Sequence, residues 1–148
     1  MIGRHARRES SWEVLVTGAT GGIGTALVGA LTAAGHEVTA VGRDVGRLGV
    51  RGIEADLADP GTLAAAGELR ELADSLREEE AAHGIRVTTV YPGATATDLL
   101  GEVRNAFGSP YDPEACIRPR TLAEMIVWVL NAPADSYPCE LSVLPSPR

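Results

Sequence analysis

The 148-residue chain contains no lysine; all thirteen of its basic residues are arginine. That excludes any chemistry that relies on a lysine ammonium. Cysteine is nearly as scarce. Cys116 and Cys139 stand too far apart for a CxxC pair and have no histidine pair beside them, so no metal site is expected. They read as buried or idle thiols in a reducing cytoplasm. No apolar run approaches the roughly 20 residues of a membrane span. The arginines at 4, 7 and 8 precede no apolar stretch with a cleavage site, so residues 1–11 read as a flexible arm rather than a secretory signal. A net charge of −7 lacks the basic face that nucleic acid asks for. Neither membrane nor nucleic acid is therefore an expected partner.

What is present is ordinary for one globular domain, here 12–148: 45% hydrophobic and 22% charged residues. Residues 12–17 form a short apolar run ending at a glycine, as a buried parallel strand does. Ile23, Ala26, Leu27, Ala30, Leu31 and Ala34 then recur at helical spacing up to Gly35. Residues 37–41 predict a second strand, 42–52 a short crossover, and 50–55 a third strand. Asp59-Pro60 opens a longer helix that Gly84 ends. Residues 85–91 predict a fourth strand, 92–118 an irregular stretch, 121–131 a helix in which Met125 and Trp128 read as core, and 140–144 a last strand. Strands alternating with helices imply an α/β fold with a parallel sheet.

Between the first strand and the first helix lies TGATGGIG, residues 17–24. Gly18 suits a tight turn, Gly22 lets the backbone approach a pyrophosphate, and Gly24 lets the helix pack closely on the sheet. The helix N-terminus offers free amides to the phosphates.

This string resembles the TGxxxGxG loop of the short-chain dehydrogenase/reductase family, whose members move hydride between NAD(P)(H) and a carbonyl or alcohol. The likeness continues. VGRD at 41–44 resembles the end of the family's second strand, where an acidic residue would hold the ribose of NAD. This chain has Gly42 there and Arg43 next, similar to NADP-preferring members, so NADP is the expected cofactor, with NAD the alternative. Asp56 and the amide of Leu57 resemble the adenine frame. The segment 84–99 is similar to the family's sixth strand and PGxxxT turn, by which Pro92 and Gly93 line the nicotinamide and Thr97 reaches its carboxamide or a phosphate. The resemblance thus implies cofactor contacts at Gly18, Thr20, Gly22, Ile23, Gly24, Arg43, Asp56, Leu57, Pro92, Gly93 and Thr97.

The family's catalytic middle is missing. Its chemistry uses a serine and a Tyr-x-x-x-Lys pair, the tyrosine as general acid and the lysine to lower its pKa. Counting back along the helix before the fourth strand puts Thr62 and Ala66 in those places. Two strand–helix units, roughly 50–60 residues at usual element lengths, are absent. No catalytic residue can be assigned. Whether the chain is an NAD(P)-dependent oxidoreductase, a non-catalytic cofactor-binding sensor or subunit, or a deletion remnant stays open. The expected architecture is a minimal Rossmann-like, doubly wound sheet of about five strands, order 3-2-1-4-5, with the fourth strand beside the first. Apolar surface bared by the missing helices would favour a homo-oligomer or partner subunit.

Overall fold

Parallel strands joined by helices form where the apolar spacing puts them. The computed structural model describes residues 11–54 and 66–147, with side chains from 73 onward in the helix that starts at Ala66. Strand β1 (Glu13–Thr17) leads into α1 (Gly22–Ala33) and β2 (Glu37–Gly42). After a 3-10 turn at Gly46–Leu48 comes β3 (Arg51–Glu54). These strands pair in parallel in the order β1-β2-β3, with Glu13 opposite Glu37 and Thr39 opposite Arg51. As the middle strand, β2 buries Val38, Ala40 and Val41, which is why its sequence is nearly all apolar. Val28 and Leu31 of α1 pack with Val16, Val38, Ala40 and Val45.

The second half runs through α2 (Ala66–Glu80), β4 (Thr89–Pro92), α3 (Asp98–Ala106), α4 (Pro119–Leu130) and β5 (Glu140–Val143). Here β4 pairs with β5 in parallel, Thr89 opposite Glu140. Ile117, Leu122 and Val143 form a second buried cluster with Val90 and Leu141. The helices α1 and α4 pack against each other and join the halves. Ile23 of α1 reaches the cluster beneath β4, and Val127 of α4 reaches the one beneath β1.

The single sheet in order 3-2-1-4-5 does not form. Among the described residues there are two sheets, of three and two strands: the expected neighbours 3-2-1 and 4-5 pair, and the expected pairing of β4 with β1 is absent. Several side-chain ties on the segment entering β4 run to the β5 side. Arg86 donates to the carbonyls of Ala132 and Pro133 at 3.2 and 3.1 Å. The Thr88 hydroxyl donates to Pro138 O at 2.8 Å, and Arg77 donates to both Val87 O and Cys139 O. The Arg77 guanidinium is itself held more firmly protonated than usual by its hydrogen bond to Asp74. Strand structure consequently starts at Thr89, four residues later than the apolar run suggests. Trp12 and Ile85, which a continuous sheet would bring together, instead line a cavity of about 330 Å³. Leu15 on β1 is left 62% exposed.

Two further differences have local causes. The stretch expected to be irregular contains α3, started by Thr97, whose hydroxyl oxygen accepts from Leu100 N at 3.3 Å. Met125 and Trp128 are not core: they are 38% and 63% exposed. The buried face of α4 runs through Leu122, Ala123 and Val129, and Trp128 lies about 100° round the helix from Val129. The expected start of the long helix at Asp59-Pro60 lies outside the described residues, as do Asp56, Leu57 and Thr62.

Candidate cofactor site

The glycine loop is built as its spacing demands. Gly18 leaves β1 at φ +63°, in the left-handed region. Its carbonyl accepts from Gly21 N at 3.1 Å, closing the turn, while the buried Ala19 donates to Val41 O at 3.1 Å and ties the loop to β2. A Cβ on Gly24 would lie 2.2 Å from Gly18 O and 2.8 Å from Ala19 Cα, so α1 can begin this close to β1 only with glycine there. Gly21 caps α1 in extended geometry without a side-chain bond. The first intrahelical bond across the cap runs from Thr25 N to Gly21 O at 2.9 Å. The amides of Gly22, Ile23 and Gly24 have no intrahelical acceptor and carry the positive end of the helix dipole.

Facing this amide cluster is the turn that follows β4. Gly93 donates to Val143 O at 2.7 Å, and the buried Thr95 donates its hydroxyl proton to Gly93 O at 3.0 Å. Ala96 and Ile117 complete the frame, with Ala96 N donating to Ile117 O and Ile117 N to Ala94 O, both at 2.8 Å. The frame delivers Thr97 to the start of α1. A Cβ on Gly22 would meet the Thr97 methyl at 2.9 Å. The Thr97 carbonyl accepts from the Tyr111 hydroxyl at 3.3 Å, which pins the residue from behind.

On the other side, the end of β2 abuts the same loop. A Cβ on Gly42 would touch the Thr20 side chain at 3.1 Å. Arg43 projects exposed just beyond. Arg47, which the sequence pattern does not single out, donates from Nη2 to Thr20 O at 3.0 Å, with its Nε 3.8 Å from Asp44 Oδ2. Nothing in the spacing marks Arg47. Its reach depends on the 3-10 turn that Val45 anchors in the core.

The structure therefore brings Gly18, Thr20, Gly22, Ile23, Gly24 and Thr97 around one end of α1, with Arg43 just past Gly42, which abuts Thr20, and with Pro92 and Gly93 at the end of β4 against Val143. Asp56 and Leu57 lie outside the described residues. The donor set fits a dinucleotide: unpaired helix amides for a pyrophosphate, bare glycine backbone for close approach, and guanidinium groups where β2 ends. The space over Gly22 is narrow, because the Thr97 methyl shares it.

Comparison with known proteins agrees. Residues 14–97 match the NAD dependent epimerase/dehydratase family. Over 76 residues, 48% of this chain, the sequence is 37% identical to glycine betaine reductase ATRR of Emericella nidulans, and the match spans only 6% of that protein's length. In fold, 90% of the chain matches 96% of a betaketoacyl-[ACP] reductase from Bacteroides thetaiotaomicron, with a TM-score of 0.74 at 18% identity. A short chain dehydrogenase family protein from Francisella tularensis gives 0.69 at 16% identity, over 90% of this chain and 97% of that one. The actinorhodin polyketide ketoreductase, solved with NADPH, gives 0.71 at 17%, over 95% and 98%. The glycine loop, the Rossmann-like parallel strands and the match over more than half its length place this chain in the NAD dependent epimerase/dehydratase family, of the short-chain dehydrogenase/reductase type.

Proposed function

We propose that this chain binds a nicotinamide dinucleotide, NADP(H) in preference to NAD(H), and contributes no general acid to carbonyl reduction. The observation that carries the reading is the loop from Gly18 to Gly24, whose free amides face Thr97 while Arg43 follows Gly42 at the end of β2. A bound nicotinamide would supply a hydride donor or acceptor. The protein's part is to hold phosphates on the Gly22–Gly24 amides and to present Arg43 to a 2′-phosphate. The Thr97 hydroxyl accepts its capping bond from Leu100 and keeps its own proton to donate. The actinorhodin ketoreductase, whose fold this chain shares, was solved with NADPH. A soluble chain with two free thiols, Cys116 and Cys139, suits a reducing cytoplasm.

Protonation is where the reading departs from an active reductase. No lysine exists to lower a tyrosine's pKa. Tyr111 is committed to the Thr97 carbonyl, and the Tyr91 hydroxyl oxygen is buried. Titrating NADPH and NADH against the wild type and Arg43→Ala tests the cofactor assignment. The variant should lose NADPH affinity and keep NADH affinity. Equal losses for both would refute the 2′-phosphate role.

A second reading, a cofactor-binding subunit completed by another polypeptide or copy, is favoured by one observation. Among the described residues the outer edge of β1 has no partner strand and carries the exposed Leu15, and Trp12 just before it lines a cavity with Ile85. Sedimentation at micromolar concentration should then show association, which Leu15→Glu would abolish.

A further inference from the structure

We infer that Arg47 is a second determinant of phosphate preference, with Asp44 as the resting counterion that a 2′-phosphate replaces. The inference rests on the dinucleotide reading above and goes beyond it by naming a residue that no glycine or strand-end pattern marks. Its position follows by triangulation. The acidic residue that would hold an adenosine ribose falls about 20 residues after the glycine loop, which is Gly42 in this chain. A Cβ at Gly42 would lie 3.1 Å from the Thr20 side chain and 3.5 Å from Thr20 N. The Arg47 Nη2 is 3.0 Å from the carbonyl of that same Thr20. Its guanidinium therefore bonds the same residue, Thr20, that abuts the strand end where a ribose-binding side chain would stand.

The segment that carries Arg47 is fixed from beneath. Val45 is buried among Val16, Ala19 and Ala40, and a Cβ on Gly52 would strike the Val45 side chain at 2.5 Å. The turn at Gly46–Leu48 is closed by Leu48 N to Val45 O at 3.0 Å, with Gly49 at φ +66° ending it. Arg47 thus leans on the glycine loop from a rigid base, so less side-chain freedom is lost on binding than for a free surface arginine.

The charge arrangement gives the preference its sign. The Arg47–Asp44 pair is long, 3.8 Å, with both side chains more than half exposed, and such a pair contributes little. A phosphate dianion offers Arg47 a stronger, charge-assisted partner. Thr20 O accepts from only one guanidinium nitrogen, which leaves further donors for the phosphate. With NADH, a 2′-hydroxyl cannot compete for the guanidinium, and Asp44 keeps it. Asp44 therefore weakens the NADPH complex by an amount that its neutralisation should return.

The test is equilibrium binding of 2′,5′-ADP and 5′-AMP, which differ only in the 2′-phosphate, alongside NADPH and NADH. Arg47→Ala should weaken 2′,5′-ADP and NADPH by about tenfold, as loss of one charge-assisted bond implies, and change 5′-AMP and NADH by less than about twofold. Asp44→Asn should strengthen the two phosphorylated ligands and leave the other two unchanged. Circular dichroism and thermal unfolding of both variants should match the wild type. Equal weakening of all four ligands by Arg47→Ala would overturn the proposal, showing that Arg47 only holds the loop. An unchanged NADPH affinity would overturn it as well. If Arg43→Ala discriminates between the ligands and Arg47→Ala does not, the cofactor reading stands and this inference falls. If neither variant discriminates, the 2′-phosphate reading falls with it.

Discussion

At the scale of single residues, the glycine loop divides into positions required by the fold and positions proposed to admit a ligand. Gly24 belongs to the first group, because a Cβ there would lie 2.2 Å from Gly18 O. Gly24→Ala should cost about 1–3 kcal/mol, the usual range for overpacking, and a urea melt would measure it. Gly22 belongs to the second group. Its missing side chain faces the Thr97 methyl and the space proposed for a pyrophosphate. Gly22→Val should leave the secondary structure intact by circular dichroism and remove binding of NADPH and NADH alike. The packing role of Gly24 was legible in the string of residues 17–24, where close approach of helix to sheet was expected of it. Arg47 and the Thr97 methyl were not legible. Their places depend on how a 3-10 turn anchored by Val45 and a frame spanning Gly93 to Ile117 bring distant segments together.

At the scale of elements, strands and helices followed from apolar spacing wherever that spacing was long or bounded by glycine. The α1 helix is the clearest case, starting at Gly22 and followed by Gly35 at φ +88°. By contrast, α3 is nine residues long and was hidden in a stretch rich in turn formers. Its signals were Thr97 as a cap, Asp98 in the first turn and Gly108 beyond the end, each of which is common in loops as well. Thr97→Val keeps the methyl against Gly22 and removes the oxygen that accepts from Leu100 N. It should lower stability by about 0.5–2 kcal/mol, as loss of a cap does, measured as a shift in thermal midpoint. The pairing of β4 with β5 is the one the expected order has, and the link from β4 to β1 is the one that does not form. Apolar content says that residues 85–91 want a sheet and cannot say whether both edges are joined. Polar side chains hold the β5 side, with Arg86, Thr88 and Arg77 all bonded toward it.

At the scale of the whole molecule, two parallel sheets are joined through α1 and α4. The candidate cofactor end, where Gly22 meets Thr97, is assembled, while among the described residues the edge of β1 has no partner strand. That separation fits the proposal that a family member without the Tyr-x-x-x-Lys pair keeps a binding site and forgoes chemistry. A positioned general acid contributes about 10²–10⁴-fold to rate, and its loss here should leave NADPH oxidation by quinones, aldehydes and ketones very weak or absent. The absorbance at 340 nm follows this directly. Turnover near the median enzyme rate of about 10 s⁻¹ would point instead to Tyr91, and Tyr91→Phe would decide the matter. Binding is the more central claim, because every proposed role of this chain depends on it. The measurement that tests it most directly is calorimetric titration of NADPH into the purified protein. One saturable site per chain, absent in a folded Gly22→Val variant, is the predicted result; no binding up to millimolar NADPH, or undiminished binding by the variant, would contradict it.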